Sequence, residues 1–199
     1  MRIIAGAYKG RRLTTPRGAT TRPTADQVRI ALLDTLVPWL PDARVLDLFA
    51  GAGGVGLEAL SRGAAHATFV ERDGRAVQAL HANVATLGVA PAARVIRDDV
   101  RRALATLSRG GGRFDVVFLD PPYDGDDVAA TLDALGDAAL LADGAVVVAQ
   151  HLTKRAPPPS VGALAAFRTR RFGETTLTFF RRDPPGAGGP ERSAPPPDA

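Results

Sequence analysis

The most informative segment of the chain reads Val45-Leu46-Asp47-Leu48-Phe49-Ala50-Gly51-Ala52-Gly53-Gly54-Val55-Gly56. Its apolar first half leads into a loop in which Gly51, Gly53 and Gly56 fit the pattern G-x-G-x-x-G, and a helical pattern follows. Glycines suit such a loop because the backbone turns sharply and a ligand must approach it closely. The stretch therefore predicts a strand, a ligand-binding turn and a helix, with a purely structural tight turn as the alternative.

The sequence beyond this loop alternates between strand-like and helix-like segments. The predicted strands are mostly continuous apolar runs, which is typical of a parallel sheet covered on both faces; they are Arg44–Phe49, Ala67–Val70, Ala93–Ile96, Phe114–Leu119 and Ala145–Ala149. Helices are predicted between them, near Gly54–Arg62, Gly74–Leu87, Val100–Leu107 and Asp126–Leu135. Further on, Leu164–Arg171 and Glu174–Arg181 are predicted to form two strands joined at Phe172-Gly173. We therefore predict an α/β fold with a Rossmann-like, doubly wound, mostly parallel sheet that ends in an antiparallel hairpin.

Two terminal segments flank the predicted domain, which we place at residues 25–182. Residues 1–24 are expected to form a basic arm with a small β-hairpin, built from Arg2–Ala7 and Arg11–Thr14 and followed by a helix over about Ala25–Leu36. Residues 183–199 contain six prolines and no large apolar side chain. Such a segment cannot bury enough surface to offset its ordering entropy, so we predict a disordered tail.

Composition narrows the class of protein. The 199 residues suit one globular domain, and the absence of cysteine excludes disulfides and Cys-ligated metal sites. No apolar run reaches the roughly 18 residues that a membrane span needs, so we expect a cytoplasmic protein without a membrane partner. Residues 1–30 hold seven basic residues and one acidic residue, although the whole chain carries a net charge of only +4. This distribution predicts a polyanionic partner, with a solubilising basic tail as the alternative.

Three carboxylates near predicted strand ends indicate which cofactor the loop binds. Glu71 ends the second strand 20 residues after Gly51, where a carboxylate can accept hydrogen bonds from ribose hydroxyls. The glycine pattern serves NAD and S-adenosylmethionine alike, but Asp47 beside the loop would repel a pyrophosphate and suits the cationic methionyl end of S-adenosylmethionine. Asp99 follows the third strand, where an acid can accept from an adenine amino group or cap the next helix.

The tetrapeptide Asp120-Pro121-Pro122-Tyr123 follows directly on the predicted strand Phe114–Leu119. Ligands of open α/β sheets bind at the carboxyl ends of the strands, so the tetrapeptide should face the same crevice as the glycine loop. A carboxylate and a backbone carbonyl that accept from an exocyclic NH2 group orient its poorly nucleophilic lone pair and stabilise the developing positive charge. The prolines fix the backbone, and Tyr123 offers a face on which an extruded base can stack. The tetrapeptide therefore predicts methyl transfer to an exocyclic amine, with a simple turn after a strand as the alternative.

With these motifs, the sequence resembles class I Rossmann-like methyltransferases of exocyclic amines, and its two ends narrow the resemblance. The segments 2–6, 9–13 and 22–29 are similar to the opening of the RsmD family, and the segment 172–177 is similar to its ending. The resemblance covers about residues 2–182 and departs from the family pattern at Ile30 and at Gln150-His151. It implies S-adenosylmethionine as methyl donor, S-adenosylhomocysteine as product and guanine N2 as acceptor. The implied substrate is 16S ribosomal RNA in a partly or fully assembled small subunit.

These motifs and the resemblance assign residues to three roles. The predicted catalytic group is Asp120, Pro121, Pro122 and Tyr123. The predicted donor-binding residues are Asp47, Ala50, Gly51, Gly53, Glu71, Arg72, Asp99 and Val100. The predicted RNA-binding residues are Lys9, Arg11, Arg12, Arg17 and Arg22. No metal is expected, and the protein is predicted to be a monomer.

Three other functions compete with this interpretation. A DNA adenine-N6 methyltransferase shares Asp-Pro-Pro-Tyr but normally needs a sizeable target-recognition insertion, and no connection in this sequence is long enough. An NAD-dependent oxidoreductase would leave the tetrapeptide unexplained. A nucleic-acid-binding protein with an inactive cofactor fold is disfavoured because the glycines and the tetrapeptide are intact.

Overall fold

The computed structural model describes residues 1–16, 23–122, 127–137 and 139–182. Three predicted site residues, Arg17, Arg22 and Tyr123, and the tail from residue 183 onward lie outside these ranges. The helices are α1 (Pro23–Leu36), α2 (Gly54–Ser61), α3 (Gly74–Leu87), α4 (Val100–Arg109) and α5 (Asp127–Asp137). The strands are β1 (Arg44–Leu48), β2 (His66–Glu71), β3 (Ala93–Arg97), β4 (Phe114–Leu119), β5 (Leu141–Leu152), β6 (Ser160–Val161), β7 (Leu164–Phe172) and β8 (Thr175–Arg182).

The strands form one sheet in the order β3-β2-β1-β4-β5-β8-β7-β6. The first five run parallel, whereas β8 pairs antiparallel with β5 and β7 pairs antiparallel with β8. One buried cluster packs α1, α2 and α3 on one face of the sheet, and a second packs α4 and α5 on the other. The predicted α/β fold with a terminal antiparallel hairpin is confirmed.

The register of the central strands brings their carboxyl ends to one edge of the sheet. Leu48 at the end of β1 pairs with Val70 of β2 and with Leu119 of β4. The residues that follow these strands therefore lie side by side, which is the geometry that a crevice at this edge requires.

The predicted N-terminal hairpin is present in a shorter form than expected, around an antiparallel bridge between Arg2 and Arg12. The amide of Ile3 donates to the carbonyl of Arg11 at 2.9 Å, and the amide of Leu13 donates to the carbonyl of Met1 at 3.0 Å. Beyond this pairing, the amides of residues 4 and 5 donate to the carboxylate of Glu58 in α2, at 2.8 and 2.9 Å. The hairpin is anchored to the body, because Ile3 and Leu13 are buried in the same cluster as α1 and α2. Helix α2 is therefore the hydrogen-bond partner where the short pairing ends.

Other differences concern strand and helix ends. Strand β5 begins at Leu141 rather than Ala145, because the buried Leu141 pairs with Phe114 ahead of a register irregularity at Gly144, whose φ is 74°. Strand β6 was not predicted, since its two residues are too short to show a pattern. Helix α1 begins at Pro23, two residues earlier than expected. Within the described ranges, no helix combines the length and the apolar character needed to cross a bilayer.

Candidate active site

The connection from β1 into α2 is held by two hydrogen bonds from backbone amides, one in the loop and one in the first turn of α2, to carboxylates. The amide of Gly56 donates to Asp47 Oδ2 at 2.9 Å, and the amide of Gly51 donates to Glu71 Oε2 at 2.8 Å. Phe49 has a positive φ of 60°, which is uncommon for a residue with a side chain and turns the chain at the end of β1. Two of the predicted donor-binding carboxylates thus also shape the loop.

The three motif glycines are required for different reasons. A Cβ on Gly53 would lie 2.3 Å from Leu80 Cδ1, and a Cβ on Gly56 would lie 2.4 Å from Phe69 Cε1, so both serve packing. A Cβ on Gly51 would meet no atom within 4 Å, because this residue borders a cavity. The sequence analysis gave a sharp turn and close ligand approach as reasons for these glycines. Positive φ angles at Gly51 and Gly53 agree with the turn. Only Gly51 also borders a cavity, since Gly53 and Gly56 line neither of the cavities described below.

Two adjoining cavities at the carboxyl edge of the sheet share Phe49, Glu71 and Asp120. The larger, of about 530 Å³, is also lined by predicted donor-binding residues of the β1 loop, namely Asp47, Ala50 and Gly51. The smaller, of about 310 Å³, is also lined by Arg72, Asp99, Val100, Pro121 and Pro122. The structure therefore brings together every described residue predicted for donor binding and catalysis except Gly53.

Buried carboxylates give the cleft an acidic character. Burial raises the pKa of Asp47 to about 7, against the hydrogen bond from Gly56, and the charges of Asp120 and Glu71 raise it further. Burial also raises the pKa of Asp120 to about 7. Asp120 lines the cleft, and its carboxylate accepts no hydrogen bond from the residues that the structure describes.

The two aspartates after β3 line the smaller cavity, and one of them also caps α4. Asp99 caps α4, because its Oδ1 accepts from the amide of Arg101 at 3.0 Å. Asp98 accepts from the amide of Asp99 at 2.7 Å and forms an ion pair with Arg102 at 3.0 Å. Both aspartates line the smaller cavity, and the cap leaves Oδ2 of Asp99 available there.

Two residues of the site were missed by the sequence analysis. Asn83 of α3 bonds to the backbone of Thr14 and, at 2.9 Å, to the carbonyl of Ala52. These bonds hold the N-terminal segment beside the loop between β1 and α2. Its signal was a polar residue on the otherwise apolar face of α3, three residues after the buried Leu80.

Arg29 of α1 is the second missed residue. It is 6% exposed, lines the larger cavity and donates to the carbonyl of Arg2 at 3.0 Å. A buried guanidinium is rare enough to indicate a specific role. Nothing in the sequence pattern distinguished it from the other arginines of the basic N-terminus.

The predicted RNA-binding residues that the structure describes, Lys9, Arg11 and Arg12, are all exposed. Their segment continues to Thr15 and Pro16, which line the larger cavity together with Met1. The N-terminal segment therefore borders the cleft. Among the side chains that are described, no group of three or more His, Asp or Glu residues could hold a metal ion.

Comparison with known proteins places this geometry in context. Residues 1–181 match the family model described as Conserved hypothetical protein 95. The Escherichia coli K12 protein named Ribosomal RNA small subunit methyltransferase D is 37% identical over 186 residues, which are 94% of this chain and 92% of that protein. YlbH of Bacillus subtilis strain 168 is 38% identical over 182 residues, covering 92% of this chain and 99% of that protein.

Solved structures agree with the fold. The structure of yhhF from Escherichia coli matches with a TM-score of 0.81 and 37% identity, covering 92% of this chain and 98% of that chain. SMU.776, which was solved in complex with SAH, matches with a TM-score of 0.65 at 14% identity and covers 78% of this chain and 48% of that chain. At that identity the likeness to SMU.776 concerns the fold alone.

Proposed function

Since the chain belongs to the RsmD family, described as Conserved hypothetical protein 95, we propose that it methylates the exocyclic N2 amino group of a guanine in 16S ribosomal RNA, with S-adenosylmethionine as donor. Relatives named as small-subunit ribosomal RNA methyltransferases support the class of reaction and substrate. The choice of guanine N2 rests on the sequence resemblance and on the chemistry of Asp120 and Pro121, which follow β4 and are called the β4 tip below.

One observation carries the proposal. Asp120, which follows β4, lines the same cavity as Asp47 of β1 and Gly51 of the loop after β1. A donor held by the β1 loop and an amine held by Asp120 would therefore share one space. Holding both reactants in one orientation is the main requirement of a methyl transfer, because no metal or covalent intermediate is needed.

The residues of the larger cavity fit the two ends of a zwitterionic amino-acid group. The carboxylate of Asp47 suits the amino group of the methionyl part, and the guanidinium of Arg29 suits its carboxylate. Glu71 uses one lone pair of each oxygen on the amides of Gly51 and Asp73, which leaves other lone pairs for ribose hydroxyls. Asp99 Oδ2 would accept from the adenine amino group between Arg72 and Val100.

The β4 tip would hold the target amine. The donor supplies an electrophilic methyl group on a sulfonium. The Asp120 carboxylate and the Pro121 carbonyl would accept from the two N–H bonds of the amine, and this contact strengthens as nitrogen gains positive charge. A pKa of about 7 also allows Asp120 to take up the released proton near neutral pH. Tyr123, outside the described residues, keeps its predicted stacking role.

The acceptor RNA would be held from outside the cleft. Lys9, Arg11 and Arg12, with Arg17 and Arg22 outside the described residues, would bind phosphates near the larger cavity. Binding should then weaken steeply with added salt, because each neutralised phosphate releases counterions.

A methylation assay with product mapping tests the proposal. The protein is incubated with isotope-labelled S-adenosylmethionine and small ribosomal subunits that lack base methylation, and the modified nucleosides are identified by mass spectrometry. We expect label in N2-methylguanosine of 16S ribosomal RNA. Label in N6-methyladenine of a DNA control instead, or in another nucleoside of the RNA, would contradict the assignment.

A further inference from the structure

A second basic surface, which the proposed function does not use, lies where β5 ends and β7 turns into β8. Residues 153–174 contain five basic residues and one acidic residue, Glu174. Outside this segment and residues 1–30, the chain holds 13 basic and 19 acidic residues. Positive charge is therefore concentrated in two separate segments, while the remaining chain is acidic.

The fold places this second segment beside the cleft. Gln150 of β5 lines the larger cavity, and two residues later Leu152, Thr153 and Lys154 line a separate cavity of about 340 Å³. Arg171 and Glu174 close this separate cavity, because β8 pairs antiparallel with β5 and brings Thr175 opposite Leu152. Lys154 follows Gln150 by four residues, which span at most about 14 Å. The distance between the two is therefore one that a few nucleotides of RNA can cover.

Hydrogen bonds tie the two turns of this surface together. The amide of Thr153 donates to the carbonyl of Glu174 at 2.7 Å, and its hydroxyl donates to the carbonyl of Gly173 at 3.1 Å. Arg171 Nε donates to the same Gly173 carbonyl at 3.1 Å, which fixes the direction of its guanidinium. The guanidinium of Arg171 is thus oriented in advance and loses less freedom when an anion binds.

The alternation of side chains along β7 separates two neighbouring arginines. Arg170 reaches toward α1, where its Nη1 donates to Thr35 Oγ1 at 3.1 Å. Arg171 lines the cavity instead. Lys154 and Arg171 are exposed, and neither forms an ion pair in the part of the chain that the structure describes. Both charges therefore remain available to a ligand.

The charge of the neighbouring cleft indicates what this ligand is. Asp47, Glu71 and Asp120 line the cleft, so their carboxylates disfavour a phosphate there while a neutral base can enter. An RNA strand whose base enters the cleft needs cations for its phosphates at the rim. In the sheet, β4 lies between β1 and β5. The surface at the end of β5 therefore offers such cations on the side of the cleft that is opposite to β1.

We propose that Lys154 and Arg171 form a second phosphate-binding site, which holds the backbone of the substrate RNA a few nucleotides from the methylated base. This inference rests on the proposed function, because it takes the RNA to be the strand that enters the cleft. The site binds phosphodiesters without reading their sequence, because contacts to backbone phosphates carry no direct information about the bases.

The test compares the double variant Lys154→Gln/Arg171→Gln with wild type in binding to unmethylated small ribosomal subunits at several salt concentrations. We expect roughly tenfold weaker binding and a slope of log affinity against log salt that is smaller by about 2, one for each lost phosphate contact. In methylation, KM should rise by a similar factor while kcat stays within about twofold. The affinity for S-adenosylmethionine, measured by calorimetry, should not change.

Two controls separate this site from general charge effects. Arg109→Gln/Arg113→Gln removes two exposed charges near the amino end of β4, far from the cleft, and should leave binding within about twofold of wild type. Lys154→Arg/Arg171→Lys keeps both charges and should restore most of the affinity. Binding and salt slope of the Gln variant equal to wild type, or an equal loss in the Arg109/Arg113 control, would overturn the proposal. Because binding is read without methylation, this result stands apart from the outcome of product mapping.

Discussion

The two halves of the cleft are built differently although they share a wall. In the half proposed to bind the donor (the donor half), the carboxylates of Asp47 and Glu71 already accept hydrogen bonds from the amides of Gly56 and Gly51. In the half proposed to bind the amine (the acceptor half), Asp120 accepts none from the described residues. Burial raises the pKa of Asp120 to about 7, as it does for Asp47. The donor half is therefore preorganised by the backbone, whereas the acceptor half is left for the substrate to complete.

The sharpest way to test this difference is to remove the carboxylate of the acceptor half. We expect Asp120→Ala to lower kcat by at least about 10²–10³-fold, because the lost contact acts mainly in the transition state. Donor affinity, measured by calorimetry, should stay within about tenfold of wild type. Near-full activity in this variant would show that another group holds the amine.

The donor half should respond in the opposite way. Asp47→Asn keeps an oxygen for the Gly56 amide but removes the negative charge that faces the donor's amino group. We expect about 10–100-fold weaker donor binding, as is typical for a lost charge-assisted hydrogen bond. Asp115→Asn provides the matched control, since Asp115 accepts from Arg44 at the opposite end of β1. A loss in kcat without a loss in donor affinity would contradict the assignment of Asp47 to donor binding.

The glycines of the donor half allow binding and folding to be separated. Gly51→Ala adds a methyl group beside the cavity and should lower donor affinity about tenfold or more, at a cost of about 1–2 kcal/mol for its left-handed backbone. Gly53→Ala has a similar backbone penalty and also overlaps the buried Leu80, so it should destabilise by at least about 2 kcal/mol. Thermal unfolding and calorimetry on both variants measure the contrast. Equal donor affinities in the two would show that Gly51 does not face the ligand.

The smallest expected effect concerns pH and stability. Because the pKa of Asp47 is raised in the folded state, the ligand-free protein holds more protons than the unfolded chain between about pH 4 and pH 7. Its stability contribution is therefore present at low pH and is lost as pH rises through about 7. Asp47→Asn removes this term, so its melting temperature relative to wild type should rise by a few degrees from pH 5 to pH 8. A difference that is constant with pH would show that Asp47 ionises normally.

Site residues at the ends of strands were predictable from the sequence, whereas contacts with distant partners were not. The acids Asp47, Glu71 and Asp120 stand at the ends of apolar runs, and parallel strands bring their carboxyl ends to one edge, so the cleft was predictable. The partners of Asn83 and Arg29 were not predictable, because they lie in the N-terminal segment, far away in the sequence. The N-terminal hairpin is shorter than predicted for a related reason, since the amides of Ile4 and Ala5 bind Glu58, whose position in α2 no local pattern reveals.

If the donor and the target amine share one cleft, a crystal structure with bound S-adenosylhomocysteine will show it. We predict that the amino group of the product contacts Asp47, that its ribose contacts Glu71 and that its sulfur faces Asp120. A product bound in a space that Asp120 does not line would contradict the account.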